Sequence, residues 1–248
     1  MSSLLGGPSA PNIPAWCDRD YGNRVGVWRM MDLLDSFGIR ATVCLNSDIC
    51  LEHPRIIEEG NKRGWEWMGH GKTNSVYLPD LSPDDERALI NETLDVIEHS
   101  TGKRPRGWLS PGLRESRHTL DFLSEAGVDY ICDWCNDDQP VAMDLGNGRP
   151  MTIVQYAHEL NDLPVFLRQM KSPAEFRDMI KRSFDVLYRE AERDNTAKVM
   201  AVALHPYITG VPHRIDALAE AFDYVCGHEK VWLATGSEIV DCFRTQVP

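Results

Sequence analysis

The chain has no excess of positive charge. Its 26 Lys and Arg face 38 Asp and Glu, leaving a formal net charge of −12 and a pI of about 5.1. Nucleic-acid and anionic-membrane binders depend on clustered Lys and Arg, so no nucleic-acid and no membrane partner is expected, although a local cationic pocket is not excluded. No apolar run is long enough to cross a bilayer. The start, Met1-Ser2-Ser3-Leu4-Leu5-Gly6-Gly7-Pro8, lacks the basic region and long apolar stretch of a secretory leader, and a soluble cytoplasmic protein is the expectation. Aromatic residues are scarce at 8%, yet a hydrophobic fraction of 42% is ample for a core. The seven cysteines are odd in number and scattered, which suggests free thiols rather than a disulfide framework. Cys132-Asp133-Trp134-Cys135 has no second ligand pair for a structural zinc. Asp133, Asp137 and Asp138 crowd it and disfavour a redox thiolate. Repeats and interdomain linkers are absent too, so the 248 residues read as one domain over 1–248, with 1–20 as an extended lead-in.

What is present is an alternation of strand-like and helix-like segments. Tyr21 to Arg24 reads as a turn, and a helix follows from about Arg24 to Phe37, stopped by Gly38. Residues 41–45 read as a strand, 54–62 as a helix and 65–68 as a strand. Ser82-Pro83-Asp84-Asp85 opens a helix with an N-cap, a proline at the first helical position and acids favoured by the helix dipole. Strands are expected at 107–109, 130–132 and 151–156, and a helix at 119–126. Residues 136–150 are turn-rich. Ser172-Pro173-Ala174-Glu175 opens a long helix to about Arg193. Residues 198–204 are almost continuously apolar, like a strand buried on both faces. A helix at 213–227, a strand at 231–234 and a helix at 237–243 complete the series. The alternation implies an α/β fold with a parallel sheet, and about seven strands lean towards a distorted (β/α) barrel. The series opens with a helix, so the first strand of such a barrel is missing. The resulting uncovered edge predicts a homo-oligomer.

In parallel α/β folds ligands gather at the carboxyl ends of strands. The residues expected there are Asn46, then His70 and Asn74, then Ser110 beside Trp108, then Trp134 and Asn136 to Gln139. His158, Glu159, Asn161 and Asp162 follow the strand at 151–156, and His205 follows the apolar run. Histidines and acids can move protons, while amides and backbone N–H groups can hold a carbonyl and its developing oxyanion. Each also has a plainer reading: Asp137 and Asp138 suit a turn cap, and Trp108 and Trp134 suit packing. As a set they suggest a hydrolytic site.

Five stretches also carry a resemblance. They are Arg19-Asp20-Tyr21-Gly22-Asn23-Arg24-Val25-Gly26, Gly69-His70-Gly71-Lys72-Thr73-Asn74-Ser75, Gly107-Trp108-Leu109-Ser110-Pro111-Gly112, residues 133–140, and Leu204-His205-Pro206-Tyr207. In that order they resemble the polysaccharide deacetylase (NodB-homology) family, and more closely its branch with the cofactor-independent allantoinase and related proteins acting on small cyclic amides. The resemblance implies a distorted β/α barrel. Family deacetylases hold a divalent metal with a first-strand aspartate and two histidines spaced His-x-x-x-His. Here His70 is the one matching ligand and Asn74 stands at the second histidine position, where an amide is a poor substitute. Leu109 replaces the arginine that orients the catalytic aspartate, and the first strand with its aspartates has no counterpart. His205 matches the family's late histidine.

The resemblance therefore implies a hydrolase of non-peptide C–N bonds acting on a small amide, cyclic imide or ureide. His70 and His205 are expected to face each other as acid and base, with Asp137, Glu159 or Asp162 orienting a histidine. Asn46, Asn74, Trp108, Ser110, Trp134, Gln139 and Asn161 are expected around the substrate. No resident cofactor is expected, with a weakly held divalent metal such as zinc left open. The alternatives are a metal-dependent N-deacetylase of an acetylated sugar, and a truncated or inactive barrel that only binds.

Overall fold

The structure, a computed structural model, describes residues 12–246. The chain divides into two units. One takes residues up to Ile39 with Gln155–Leu233, and the other takes Arg40–Val154 with residues from Ala234 onward.

The second unit holds the sheet. Its strands are β1 (Thr42–Leu45), β2 (Glu66–Gly69), β3 (Gly107–Trp108), β4 (Tyr130–Ile131), β5 (Val141–Asp144) and β6 (Pro150–Ile153). They run in the order β1-β2-β3-β4-β6-β5. All neighbours pair parallel except β5, which pairs antiparallel with β6. The sheet has six described strands and does not close through hydrogen bonds, which makes it an incomplete, distorted (β/α) barrel. Helices α3 (Ser47–Glu52), α4 (Pro54–Lys62), α5 (Pro83–Thr101), α6 (Thr119–Glu125) and α10 (Gly236–Gln246) belong to this unit. Helix α5 starts where its sequence says it must, with Ser82 Oγ accepting the Asp85 N–H at 3.3 Å. Ile90, Leu94, Trp108, Leu123, Ile131 and Met151 form the centre of its core.

The first unit is helical: α1 (Ile13–Tyr21), a π-helical turn over Gly22–Gly26, α2 (Val27–Ser36), α7 (Asp162–Leu167), α8 (Pro173–Asp194) and α9 (Pro212–Cys226). A capping box fixes the start of α8. Ser172 Oγ accepts from Glu175 N at 3.2 Å, and Glu175 Oε2 accepts from Ser172 N at 2.8 Å.

Several expectations need correction. The described part of the lead-in is helix α1, capped by Asn12; residues 1–11 of that lead-in lie outside the described residues. The turn at 21–24 is part of a continuous helical path. Among the described residues, 198–204 and 231–234 form no ladder, and of these only Ala203 makes an isolated parallel bridge, to Asn161. The turn-rich stretch contains β5, whose residues alternate half-buried and exposed and whose partner β6 supplies the buried face.

Candidate functional site

In the second unit the register brings strand ends level. Leu45 pairs with Gly69, Gly69 with Trp108, and Trp108 with Ile131. The residues just beyond, Asn46, His70, Leu109 and Cys132, therefore leave the sheet along one edge. Asn46 Nδ2 donates to the His70 carbonyl at 2.6 Å. The His70 ring Nδ1 lies 2.5 Å from the Leu109 carbonyl. A carbonyl only accepts, so Nδ1 carries the proton and Nε2 is the ring's basic nitrogen. Leu109 thus contributes through its backbone.

Asp133 comes next along this edge. Its Oδ1 accepts the Ser110 N–H at 2.7 Å, while its Oδ2 is buried with no hydrogen-bond partner among the described residues. Burial pushes this carboxyl up to about 8, with the nearby Glu115 carboxylate adding to the rise and Ser110 opposing it. Composition could not reveal this; in the sequence Asp133 stands in a CxxC and opens the stretch 133–140, and neither shows its burial. Trp108 is fully buried, its Nε1 donating to Ser110 Oγ at 3.1 Å, so it belongs to the core and presents no face to a substrate. Trp134 is 44% exposed and donates to Glu115 Oε1 at 3.0 Å. Asn74 is exposed. Asp137 Oδ1 accepts the Gln139 N–H at 2.9 Å, which is the turn-capping role. A groove of about 430 Å³, lined by residues including Arg87, His118 and Arg149, involves none of these positions.

In the first unit the short α7 does the positioning. Asn161 is its N-cap, with Oδ1 accepting from Leu163 N at 3.0 Å and Nδ2 donating to the Tyr156 hydroxyl at 3.1 Å, so its side chain serves the fold. The bridge to Ala203 brings the strand end carrying His205 alongside, with Asp162 N donating to Ala203 O at 3.0 Å. Asp162, fully buried, then accepts three hydrogen bonds. His205 Nδ1 lies 2.6 Å from Oδ1, and His205 N and Thr209 Oγ1 reach Oδ2 at 2.7 and 2.6 Å. The His205 side chain keeps 27% of its surface exposed. Glu159 stands exposed on the loop before α7, so the carboxylate that orients His205 is Asp162. It was one of three acids open from sequence, because spacing alone does not say which acid points inward.

The Arg19–Gly26 stretch is explained by packing on this same loop. An ideal Cβ on Gly22 would lie 2.8 Å from Tyr207 Cβ, and one on Gly26 would lie 2.1 Å from the Pro206 carbonyl oxygen. Only glycines let the π-helical turn come this close.

Among the described residues no three His, Cys, Asp or Glu side chains gather into a set able to hold a metal ion. His70 Nδ1 bonded to a carbonyl is compatible with a ligating Nε2, but with Asn74 at the surface and no third ligand gathered beside it, the described residues do not fit the three-ligand metal centre that the resemblance implies.

Comparison with known proteins agrees with these motifs. The family profile described as polysaccharide deacetylase matches residues 16–131. A Schizosaccharomyces pombe protein, provisionally named a polysaccharide deacetylase, is 24% identical over 246 residues, covering 92% of this chain and 76% of its own length. The crystal structure of Puue allantoinase superposes with a TM-score of 0.89 at 28% identity, over 97% of this chain and 81% of that one. A structure from Pseudomonas aeruginosa PAO1, described as a probable polysaccharide deacetylase, gives 0.89 at 26% identity over 100% and 84%. The chain's likeness to the polysaccharide deacetylase (NodB-homology) family is thus shown twice, by a sequence match across residues 16–131 and by a fold shared across nearly its whole length with solved structures that include an allantoinase.

Proposed function

We propose that this protein hydrolyses a non-peptide C–N bond in a small amide, cyclic imide or ureide, with His205 as its proton-transfer residue. The observation that carries this reading is the buried Asp162 carboxylate locked to His205 Nδ1 at 2.6 Å. That bond fixes the tautomer, turns Nε2 away from the carboxylate and stabilises the imidazolium that forms during reaction. The chemistry needs only one such imidazole acting twice. Nε2 takes a proton from water as the water oxygen bonds to the carbonyl carbon. It then gives that proton to the nitrogen as the C–N bond breaks. A positioned acid or base of this kind contributes typically ~10²–10⁴-fold. In the other unit, His70 has its own tautomer fixed by the Leu109 carbonyl, and no step is assigned to it. The likeness to an allantoinase structure favours a ring amide over an acetylated sugar, as does the poor fit to a three-ligand metal centre.

The test is hydrolysis of allantoin, a cyclic imide and an N-acetylated sugar, with and without a chelator, alongside elemental analysis of the protein. Chelator-resistant ring opening that His205→Ala abolishes without loss of folding is the expected result. Stoichiometric zinc with chelator-sensitive deacetylation would replace this reading with the deacetylase one. Full activity in His205→Ala would remove His205 from the mechanism.

A further inference from the structure

The first unit holds a cation close to the His205–Asp162 pair. Arg19, in the last turn of α1, lays its guanidinium over the Tyr207 ring with Cζ 3.6 Å from the centroid. The Tyr207 ring in turn meets the His205 imidazole edge to face, 5.8 Å between centroids. The guanidinium is therefore no farther from the imidazole than those two spans laid end to end. Tyr207 is held from behind by the close approach of Gly22, so the stack has a rigid base.

The other arginines of this neighbourhood are occupied. Arg29 donates to the Gly210 carbonyl and the Tyr21 hydroxyl, and Arg214 donates to the Ile208 carbonyl at 3.0 Å. Arg24 pairs with Asp20 at 3.5 Å. Arg19 differs. It is half-buried, its flat face is used by Tyr207, and among the described residues its N–H groups have neither a carboxylate nor a carbonyl to bind. A stacked guanidinium keeps its fork of donors in a fixed plane, the arrangement that matches a carboxylate with two parallel hydrogen bonds. Asp18 and Asp20 flank it in the chain, but Asp20 pairs with Arg24, and in a chain of net charge −12 a half-buried guanidinium that makes no ion pair among the described residues is suited to an anionic ligand.

We propose that Arg19 binds a carboxylate on the substrate, so that the molecule hydrolysed is an amide, imide or ureide that also carries an acid group. This rests on the hydrolase reading for its chemistry, but its test does not need turnover. The full chain is titrated calorimetrically with hydantoin and with hydantoin-5-acetate, which share one ring and differ in the acid. Wild type binds the acid roughly 10–100-fold more tightly than the neutral ring, the range expected for a charge-assisted pair. Arg19→Gln brings the ratio to about one, and Arg19→Lys keeps part of it, with thermal melts showing that both variants fold. A wild-type protein that binds the acid no better than the ring, or an Arg19→Gln ratio equal to that of wild type, overturns the proposal. Hydrolysis is followed in parallel. Turnover of neutral rings with no acid preference would overturn the role of Arg19 and keep the hydrolase, whereas acid binding dependent on Arg19 without turnover of any amide would do the reverse.

Discussion

Two aspartates in this chain are held in opposite ways, and each makes a separate prediction. Asp162 is satisfied by three donors and fixes His205. Asp162→Asn keeps the shape but offers an amide where a carboxylate stood, so the imidazole loses both its tautomer and the charge that stabilises its protonated form. Turnover is expected to fall by ~10²–10⁴-fold. Stability is expected to fall by about 1–3 kcal/mol, because a buried donor then faces donors. Steady-state kinetics beside urea unfolding check both, and unchanged kcat would separate the pair from the chemistry. Asp133 has no donor on Oδ2 among the described residues, and burial raises it from 3.8 to about 8. Between those values the folded chain binds more protons than the unfolded one, so stability falls as pH rises across the window. Asp133→Asn removes that dependence. Urea midpoints measured from about pH 4 to about pH 9 should slope less in the variant than in wild type, and parallel slopes would refute the assignment. Sequence showed both acids but not the difference between them, since burial and donor count are properties of the folded surroundings.

At the scale of elements, the helices were legible and the strands less so. Helix starts announce themselves locally. Ser82-Pro83 and Ser172-Pro173 begin α5 and α8 where caps and first-turn acids place them. Strand formation depends on a partner, and residues 198–204, though almost continuously apolar, make only the single bridge from Ala203 to Asn161. That bridge places His205 beside Asp162 without the ladder that was expected to carry it. The π-helical turn was not legible at all. Its cause is tertiary: Gly22 and Gly26 must approach Tyr207 and Pro206 more closely than any side chain permits. Gly26→Ala places a methyl 2.1 Å from the Pro206 oxygen, and relieving that overlap is expected to cost about 1–3 kcal/mol. Because the displaced segment leads directly from His205, turnover should fall together with the melting temperature. A variant as stable and as active as wild type would show that the turn relaxes freely.

The whole molecule sets two forces against each other when copies meet. A charge of −12 on 28.1 kDa makes them repel. Apolar surface favours association, and large side chains remain open, with Met170 79% and Trp232 56% exposed. The outer strands of the sheet, β1 and β5, also lack a second ladder partner among the described residues, although at four residues each they are short templates for pairing. The two forces respond differently to salt. Repulsion between copies reaches across about 30 Å at 0.01 M salt but only about 8 Å at 0.15 M, while burial of apolar surface is not weakened by such salt. The homo-oligomer anticipated from the sequence should therefore form as salt is added. Light scattering is expected to give a mass near 28.1 kDa at about 0.01 M salt, rising to a multiple of it at about 0.3 M. A mass that stays at one chain in both buffers would mean that the exposed apolar residues drive no association. A mass that falls on adding salt would mean that opposite charges, not apolar contacts, join the copies.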